Sequence, residues 1–367
     1  MKLSEICLNI TDGTHSSIKD IDNGNFFLLS CKNIKNGKIN ISTNERRIDF
    51  ETFKNLSKRS KLDFNDILIT TVGTIGELAI INTDKINFDF QRSVGIIKVD
   101  SSKMIPKYVY YYLCSNFAQR QINSLVKGAV QKCLFLKDIG QIDILKKTII
   151  EQQHIVNIIG SVDDYIENLQ QEILSFTAIG KEIFKLQTNM YTIKTKDILN
   201  FQKGVEVGSK EYLDVKNENT IDYFRVADLN NTKSETFVNT FFLEKASAKF
   251  GDVMITFDGC PGRVGYCVNG CFSGSIRKII DINKKYNNGY LYFWSVSENV
   301  QNCIKEHSFG TTILHASKAI EHLEIINEPN EEILNKLNII FKKMVSNNLM
   351  IQTLNELKQS YLKKFFG

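Results

Sequence analysis

The chain has 367 residues, of which 43% are hydrophobic and 24% are charged, and its formal net charge is +5. This composition excludes a disordered chain, and this length predicts two to three folded domains. The mildly basic net charge permits a nucleic-acid partner without requiring one, because a solvated lysine-rich surface would give the same net charge.

The chain has neither a predicted signal peptide nor a predicted membrane span. The N-terminal residues 1–15 lack the apolar segment of a signal peptide, and no apolar run approaches the roughly 20 residues of a membrane span. We therefore expect a cytoplasmic protein with no membrane partner.

The chain has eight cysteines and no CxxC pair, and its one cluster, Cys260, Cys267 and Cys271, has no histidine close by in sequence. This spacing predicts buried thiols rather than a metal site.

An internal repeat organises the chain. The stretch FNDILITTVGTIGELAII, residues 64–81, has a counterpart in FGDVMITFDGCPGRVGYC, residues 250–267, with a constant separation of 186 residues. Residues 4–15, 26–34 and 127–144 have weaker counterparts in residues 196–208, 223–229 and 309–325. The separation differs between these matches, as expected where loops differ in length. The repeat predicts two similar globules, each followed by a helical segment.

Within each globule the pattern predicts strands followed by helices. Residues 67–73 and 77–82, and their counterparts 253–259 and 263–269, are rich in β-branched residues and interrupted by glycines. Residues 106–125 and 287–304 have helical spacing with many aromatic residues. Packing of these rings in a core is favoured over a role as base-stacking platforms. Each globule is therefore predicted to be of the α+β class.

The first helical segment has the pattern of a coiled coil. Its apolar residues follow one another in alternating steps of four and three, and they are Ile155, Ile159, Val162, Ile166, Leu169, Ile173 and Phe176. This period predicts a narrow seam that packs against another helix. Gly180 interrupts the seam near its end.

A second seam follows Pro329, with Asn330 as the predicted N-cap. Its residues are Leu334, Leu337, Phe341, Met344, Asn348, Ile351 and Leu354. Asn348 has two interpretations: a buried asparagine that fixes the register of the helix pair, or a side chain that points outward from a frayed turn. We expect the two seams to pair as an antiparallel coiled coil that separates the globules with pseudo-twofold symmetry. About 25 helical residues span roughly 37 Å, close to the ~34 Å of one turn of DNA.

The order of these motifs resembles a known family. The motifs are DGTH at residues 12–15, NDILITTVGTIG at 65–76, GDVMITFDGCPG at 251–262 and EQQHIVNIIGSVDDYI at 151–166. Together they resemble the specificity (S) subunit of type I restriction-modification systems over essentially the whole chain. The resemblance implies a first target-recognition domain at residues 1–148, a helix at 149–188, a second recognition domain at 189–328 and a second helix at 329–367.

The resemblance also implies a function. Each recognition domain would read one half of a bipartite double-stranded DNA target. The paired helices would set the spacing and dock two methyltransferase (M) subunits, with restriction (R) subunits joining in some systems. S-adenosylmethionine and ATP would then be bound by the partner subunits, and no cofactor by this chain. The second copy departs from the pattern, since it has QKGVEVG from Gln202 in place of DGTH and Cys260-Pro261 in place of Thr74-Ile75.

The residues themselves give no catalytic motif. The chain has three prolines and no (N/D)PP(Y/F) stretch, no GxGxxG turn and no GxxxxGK[ST] loop. His15 near Asp12 lacks a companion nucleophile. These absences argue against an enzyme, and the resemblance implies a DNA-recognition subunit. The alternatives are a protein-binding scaffold with a coiled-coil spacer and, less favoured, a nuclease or methyltransferase.

Polar residues between predicted strands are the candidate DNA contacts, because arginine, asparagine and glutamine can read base edges and lysine can bind phosphate. In the first globule they are Thr14, His15, Lys32, Asn33, Thr74, Gln91, Arg92, Lys127, Gly128, Gln131 and Lys132. In the second they are Lys203, Arg225, Asp228, Arg263, Ser275, Arg277, Thr311, Thr312 and His315. A structural interpretation remains open for several of them: Asp12-Gly13 as a turn, Arg92 as a surface ion pair, and Gly73 and Gly76 as a tight strand connection.

Overall fold

The computed structural model describes residues 1–128, 131–187, 191–213, 215–310 and 314–367, and these residues form two compact units. Unit 1 contains residues 1–164 together with 355–367, and unit 2 contains residues 165–354. Each unit therefore combines a globular part with a portion of each of two long helices. The predicted α+β class is confirmed, because each unit combines sheets with helices.

The strands of unit 1 form a sheet of order β1-β9-β6-β7, a second sheet of order β5-β2-β8, and the hairpin β3-β4. These strands are β1 (Cys7–Asp12), β2 (Phe26–Leu29), β3 (Ile34–Lys35), β4 (Lys38–Ile39), β5 (Arg47–Ile48), β6 (Ile67–Thr70), β7 (Leu78–Ile80), β8 (Phe88–Phe90) and β9 (Val94–Val99). The first sheet is antiparallel throughout. Strand β6 is buried at every position, as its β-branched and apolar sequence predicts.

The helices of unit 1 are α1 (Phe50–Ser60), α2 (Pro106–Cys114), α3 (Asn116–Leu125), α4 (Leu136–Ile139) and the first part of α5 (Ile149–Lys185). The helical prediction for residues 106–125 is confirmed, except that Ser115 leaves the helix and caps α3 by accepting from the Ala118 amide. Every residue from Tyr108 to Leu113 is buried. The tyrosines of α2 are therefore core, as predicted, whereas Phe117 of α3 is 47% exposed.

Unit 2 repeats this architecture. Its strands are β10 (Thr192–Lys194), β11 (Leu199–Lys203), β12 (Thr220–Phe224), β13 (Phe237–Asn239), β14 (Met254–Thr256), β15 (Asp258–Gly259), β16 (Val264–Gly265), β17 (Cys271–Phe272), β18 (Ile276–Asp281), β19 (Leu314–His315) and β20 (Glu324–Ile326). Its helices are α6 (Asn288–Ser295), α7 (Glu298–Glu306) and α8 (Glu331–Phe366), whose last residues belong to unit 1. The sheet order β11-β18-β14-β16 reproduces β1-β9-β6-β7, and β13-β12-β17 reproduces β5-β2-β8.

Aligned acidic residues hold the matching strands in the same way. Asp66 pairs with Lys98 of β9, and Asp252 pairs with Lys278 of β18 at 3.6 Å. Burial raises the pKa of Asp66 in spite of the neighbouring Lys98 ammonium group. The repeat predicted from the sequence thus extends to strand order and to individual ion pairs.

In unit 1, α5 and α8 run antiparallel. Ile155 and Ile159 of α5 pack in one apolar cluster with Leu362 and Phe366 of α8. Asp163, further along α5, accepts from Lys358, which lies earlier on α8, at 2.6 Å. The same cluster contains the tyrosines of α2. The seam of α5 is therefore shared between the helix pair and the globule, whereas the sequence predicted a seam between helices alone.

In unit 2 the helix portions also run antiparallel. The Asn347 amide donates to Glu172 at 2.9 Å, and the Lys343 ammonium group lies 5.7 Å from the centre of the Phe176 ring.

The seam residues of both helices divide into two groups by burial. Val162, Ile166, Leu169, Leu337, Phe341, Met344 and Leu354 are buried, while Ile173, Leu334 and Ile351 are half-buried.

The structure assigns a role to the two polar or small residues of the seams. Asn348 is half-buried and donates to the Tyr266 hydroxyl at 2.8 Å, so it bonds to the globule and neither crosses the helix pair nor points to solvent. Gly180 is buried beneath Phe293, and a Cβ at Gly180 would lie 2.0 Å from the ring. Gly180 therefore admits an aromatic side chain of the globule. No helix in the described part of the chain has the length and apolarity needed to cross a membrane.

Candidate nucleic-acid interface

The polar loops of unit 1 meet at one end of its first sheet. Strands β1 and β6 end there, at Asp12 and Thr70, and strands β9 and β7 begin there, at Val94 and Leu78. Because these strands alternate in direction, the segments that follow or precede them gather at the same sheet end. We call the residues gathered there, 13–15, 71–76, 91–93, 127–128 and 131–133, the sheet-end surface of unit 1.

The DGTH segment and the loop before β9 are joined by backbone hydrogen bonds. The Thr14 amide donates to the Phe90 carbonyl at 2.8 Å, and the Arg92 amide donates to the Thr14 carbonyl at 2.9 Å. Gly13 is required here, since a Cβ would lie 2.1 Å from the Phe90 carbonyl oxygen. The structure therefore brings together Thr14, His15, Gln91 and Arg92, four of the candidate DNA contacts.

A glycine turn connects β6 to β7 beside this loop. Gly73 and Gly76 have φ values of +77° and +89°, which favour glycine strongly. The Thr71 amide donates to the Ser93 carbonyl at 3.0 Å, which fixes the turn against the loop that carries Arg92. Thr74 lies at the exposed tip of the turn.

The segment after α3 completes the surface. Cys133 pairs with Lys127 and with Val72, and the Leu134 amide donates to the Thr71 carbonyl at 2.9 Å. Lys127 donates to Asp138 at 2.8 Å, and its side chain remains half exposed. Gly128 has a φ of +113°, and Gln131 and Lys132 are exposed.

A buried acid orients the histidine of the DGTH segment. Asp12 binds the His15 ring at 2.7 Å and Arg59 of α1 at 2.5 Å, and 53% of the His15 side chain is exposed. The sequence analysis did not identify Arg59. Its signal was an Asp-capped amphipathic helix at residues 50–60 whose last turn carries Lys58 and Arg59. A cavity of about 390 Å³ adjoins the group and is lined by Asp12, Gly13, Thr14, Thr52, Arg59 and Asp89, among others.

Unit 2 has a corresponding sheet-end surface at residues 204–206, 257–263, 273–275, 309–310 and 314–315. Lys203 ends β11 and is exposed, and Gly204 lies so close to the Ser273 carbonyl that a Cβ would be 2.1 Å away. Gly204 therefore takes the place of Gly13, although the DGTH motif is absent from this copy. Ser275 is half-buried at the start of β18.

The glycine turn recurs in unit 2. Gly259 and Gly262 have φ values of +81° and +85°, and the Ala316 amide donates to the Phe257 carbonyl at 2.7 Å, as Leu134 does to Thr71 in unit 1. Gly310 has a φ of +115°, which matches Gly128. The predicted pairing of these loop segments is therefore reproduced by the backbone.

Charged side chains surround this second turn. Arg263 donates to the Val226 carbonyl at 2.7 Å, which places it next to Arg225 and Asp228. Asp228 accepts from the Arg225 amide at 3.1 Å and lies 3.5 Å from its guanidinium group. His315 is half exposed and binds Asp258 at 2.8 Å.

The structure does not favour DNA contacts by two of the predicted residues. Asn33 is 2% exposed, and its amide group accepts from the Ser30 amide and donates to the Asn40 carbonyl. Arg277 is 7% exposed, donates to the Gly274 carbonyl and lies 3.7 Å from Asp258. Burial lowers the pKa of Arg277. Asn33 directly precedes β3 and Arg277 lies within β18, and both side chains form hydrogen bonds inside the fold.

Lys32 follows Cys31, whose amide donates to the Ser93 hydroxyl at 3.1 Å, and so lies beside the sheet-end surface of unit 1. Lys32 is 62% exposed and lies 3.0 Å from Glu45, so it remains available at the edge of the surface. Thr311 and Thr312 lie outside the described residues. The remaining predicted residues lie in or beside the two sheet-end surfaces, and their contact with DNA stays a prediction.

Comparison with known proteins shows what the chain is similar to. The model of the family described as "Type I restriction modification DNA specificity domain" matches residues 10–175. This match covers less than half of the chain, and it shows that residues 10–175 are similar to a DNA specificity domain of type I restriction-modification systems. The matched residues include the sheet-end surface of unit 1 and α5 as far as residue 175.

Two specificity subunits of type I systems are similar to this chain. The Type I restriction enzyme EcoBI specificity subunit of Escherichia coli is 29% identical over 137 residues, which is 35% of this chain. The match spans only 29% of that relative's length. The crystal structure of the type I restriction-modification S subunit of M. genitalium is 16% identical, with a TM-score of 0.55, and the superposition covers 100% of this chain and 95% of that one. This likeness extends the shared fold to both units.

Proposed function

We propose that the chain is a DNA-recognition subunit that reads a bipartite target, with one half read at each sheet-end surface. The observation that carries this proposal is the duplication of the surface, because the two units have the same strand order. At one sheet end each unit presents a glycine turn, the loop before β9 or β18, and a segment that follows a helix. A duplicated reader suits a target with two separate parts. The EcoBI relative is named as a specificity subunit, which supports the same function here.

The charge of the two surfaces suits a polyanion. Exposed or half-exposed cations in or beside them are Lys32, Arg92, Lys127, Lys132, Lys203, Arg225 and Arg263. Lysine and arginine at such positions supply phosphate contacts, which give affinity without sequence preference. Thr14, Thr74 and Gln91 can donate to and accept from base edges, which gives sequence preference.

We propose further that the long helices dock partner subunits. Several apolar side chains of α5 and α8 are exposed, among them Tyr165, Leu174, Ile179, Ile339 and Met350. Exposed apolar groups on helices that already bury their seams favour contact with another protein. In this proposal the partners are two methyltransferase subunits, joined in some systems by restriction subunits, and they bind S-adenosylmethionine and ATP. This chain itself then carries out no chemical step.

The test is selection of bound duplexes from random DNA, with the chain in complex with its co-purified partner. Two short enriched motifs at a fixed separation, with unread positions between them, are the expected result. One continuous motif would show that a single unit reads DNA. No enrichment, with an intact complex, would contradict the proposal and favour a protein-binding scaffold.

A further inference from the structure

The glycine turn of each unit is held by a mount, which we define as a buried threonine and a half-buried glutamine that bond to the turn. In unit 1, the Thr70 hydroxyl donates to the Thr74 carbonyl and accepts from the Glu77 amide at 2.9 Å, so one side chain closes the turn from inside. The Gly76 amide donates back to the Thr70 carbonyl at 3.0 Å. Thr70 is 0% exposed and so cannot touch DNA itself.

A glutamine fixes the same turn from below. Gln119 of α3 donates to the Gly76 carbonyl at 3.2 Å and to the Leu113 carbonyl at 2.9 Å. A Cβ at Gly76 would lie 3.1 Å from the Gln119 carbonyl oxygen. The turn is thereby bonded to the junction between α2 and α3, which belongs to the buried core.

Unit 2 has the same mount. The Thr256 hydroxyl donates to the Cys260 carbonyl at 2.5 Å and accepts from the Arg263 amide at 3.0 Å. Gln301 of α7 donates to the Gly262 carbonyl at 3.0 Å and to the Ser295 carbonyl at 2.8 Å. Thr256 is also 0% exposed. Two sets of bonds, made by residues far apart in sequence, are therefore repeated in the two units.

The tips carried by these mounts differ. Unit 1 presents Thr74-Ile75, and unit 2 presents Cys260-Pro261. Thr74 and Cys260 are exposed, whereas the threonines that hold them are buried. A shared mount with a different tip is the arrangement expected where two readers share a scaffold and recognise different bases.

We propose that the tip of each glycine turn determines base preference in its half of the target, and that Thr70 with Gln119, and Thr256 with Gln301, are its positioning residues. The inference rests on the proposed DNA-reading function. It specifies which of the surface segments sets sequence preference. A tip that is held in one conformation discriminates between base edges, because a misplaced donor or acceptor leaves a base group unpaired.

The experiment compares enriched duplexes for wild type, Thr70→Val, Thr70→Ser and Thr256→Val. Valine keeps the shape of threonine and removes both hydrogen bonds, whereas serine keeps them. We expect Thr70→Val to reduce discrimination by about tenfold at one or more positions of one half-site, and Thr70→Ser to retain it. Thr256→Val should affect the other half-site only. Thr353→Val, at an exposed threonine of α8, is the matched control.

An additional variant covers the case in which Thr70→Val fails to fold. Thr74→Ala changes an exposed tip side chain and should alter preference at one position of the same half-site. Unchanged base preferences in Thr70→Val would overturn the inference. If Thr70→Val does not fold, unchanged base preferences in Thr74→Ala would overturn it. An equal loss of base preference in both halves of the target would also overturn it. Failure of the wild-type complex to enrich any duplex would instead overturn the proposed function.

Discussion

Arg92 and Arg277 were both predicted to contact DNA, and their surroundings differ. Arg92 is exposed in the loop before β9, where its amide bonds to Thr14. Arg277 lies one residue inside β18, with its guanidinium group bonded to the Gly274 and Ile276 carbonyls. Arg92 lies before its strand, in a loop, whereas Arg277 lies within its strand, where a side chain can point into the covered side of the sheet. The two arginines therefore have different expected effects on removal.

The arginine variants separate binding from stability. Arg92→Ala should weaken duplex binding about tenfold, the effect of losing one base or phosphate contact, without changing the free energy of unfolding. Arg277→Ala should lower the free energy of unfolding by about 2 kcal/mol, because it removes buried hydrogen bonds and leaves Asp258 with fewer partners. Titration of labelled duplex and denaturation with urea measure the two effects. Equal unfolding curves for Arg277→Ala and wild type would contradict its buried role.

Asp89 gives stability a dependence on pH. It is 1% exposed, and burial raises the pKa of its carboxyl group even though Ser60 and the Phe90 amide donate to it. Since the folded pKa lies above the unfolded one, the folded state retains a proton that the unfolded state has already released. The contribution of Asp89 to stability is therefore present below the unfolded pKa and is lost as pH rises through the folded pKa.

Asp89→Asn should remove this loss. From acid to neutral pH, the free energy of unfolding of wild type should fall relative to that of the variant, as measured by urea denaturation across a pH series. Asp84→Asn, at an exposed position, is the control and should follow wild type. Parallel pH profiles for Asp89→Asn and wild type would show that the Asp89 carboxyl group has no raised pKa.

At the scale of elements, α5 contains two glycines with opposite roles. Gly180 is covered by Phe293, and a Cβ would lie 2.0 Å from its ring. At Gly160 the nearest atom to a Cβ would be the Lys107 ammonium nitrogen at 3.4 Å, which is ordinary contact. The sequence analysis treated Gly180 as an interruption of the seam. The structure shows that it is the site where the helix receives a core side chain.

Alanine substitution at the two glycines should shift stability in opposite directions. Gly180→Ala should lower the free energy of unfolding by about 1 to 3 kcal/mol, because the Phe293 ring must move from a filled core. Gly160→Ala should raise it by roughly 0.5 to 1 kcal/mol, the usual gain of alanine over glycine inside a helix. Thermal and urea unfolding of both variants measure this. A stabilising Gly180→Ala would mean that the ring is not packed on the helix as described.

At the scale of the whole molecule, the duplication predicts that the two surfaces contribute separately to DNA binding. Each phosphate contact that is removed should reduce the slope of log affinity against log salt concentration by about 0.9. Lys132→Ala in unit 1 and Lys203→Ala in unit 2 remove one exposed cation each. Affinity measured over a range of salt concentrations should show one such reduction in slope for each single variant. The double variant should show the sum of the two reductions. Unchanged slopes would exclude these two lysines from phosphate contact.

Much of the fold followed from the sequence, because its signals are local. The glycine turns, the strands β6 and β14, and the two heptad seams depend on side-chain period and on backbone conformations that only certain residues adopt readily. The residues of the candidate DNA-binding surface could be predicted from the sequence only in part. The sequence indicated Thr14, Arg92 and Lys132, since they lie in polar loops between strands. It did not indicate Arg59, which reaches Asp12 across 47 residues of chain.

The sequence by itself determined the repeat, the α+β class, the antiparallel helix seams and the resemblance to specificity subunits, because each of these is written in the order and spacing of residues along the chain. The tertiary structure alone decided which polar residues remain exposed. Asn33 and Arg277 are internal partners, while Arg92 and Gln131 are accessible, and Asn348 bonds to Tyr266. The physical reason is that exposure and hydrogen-bond partners depend on contacts between segments far apart in sequence, which local patterns do not encode.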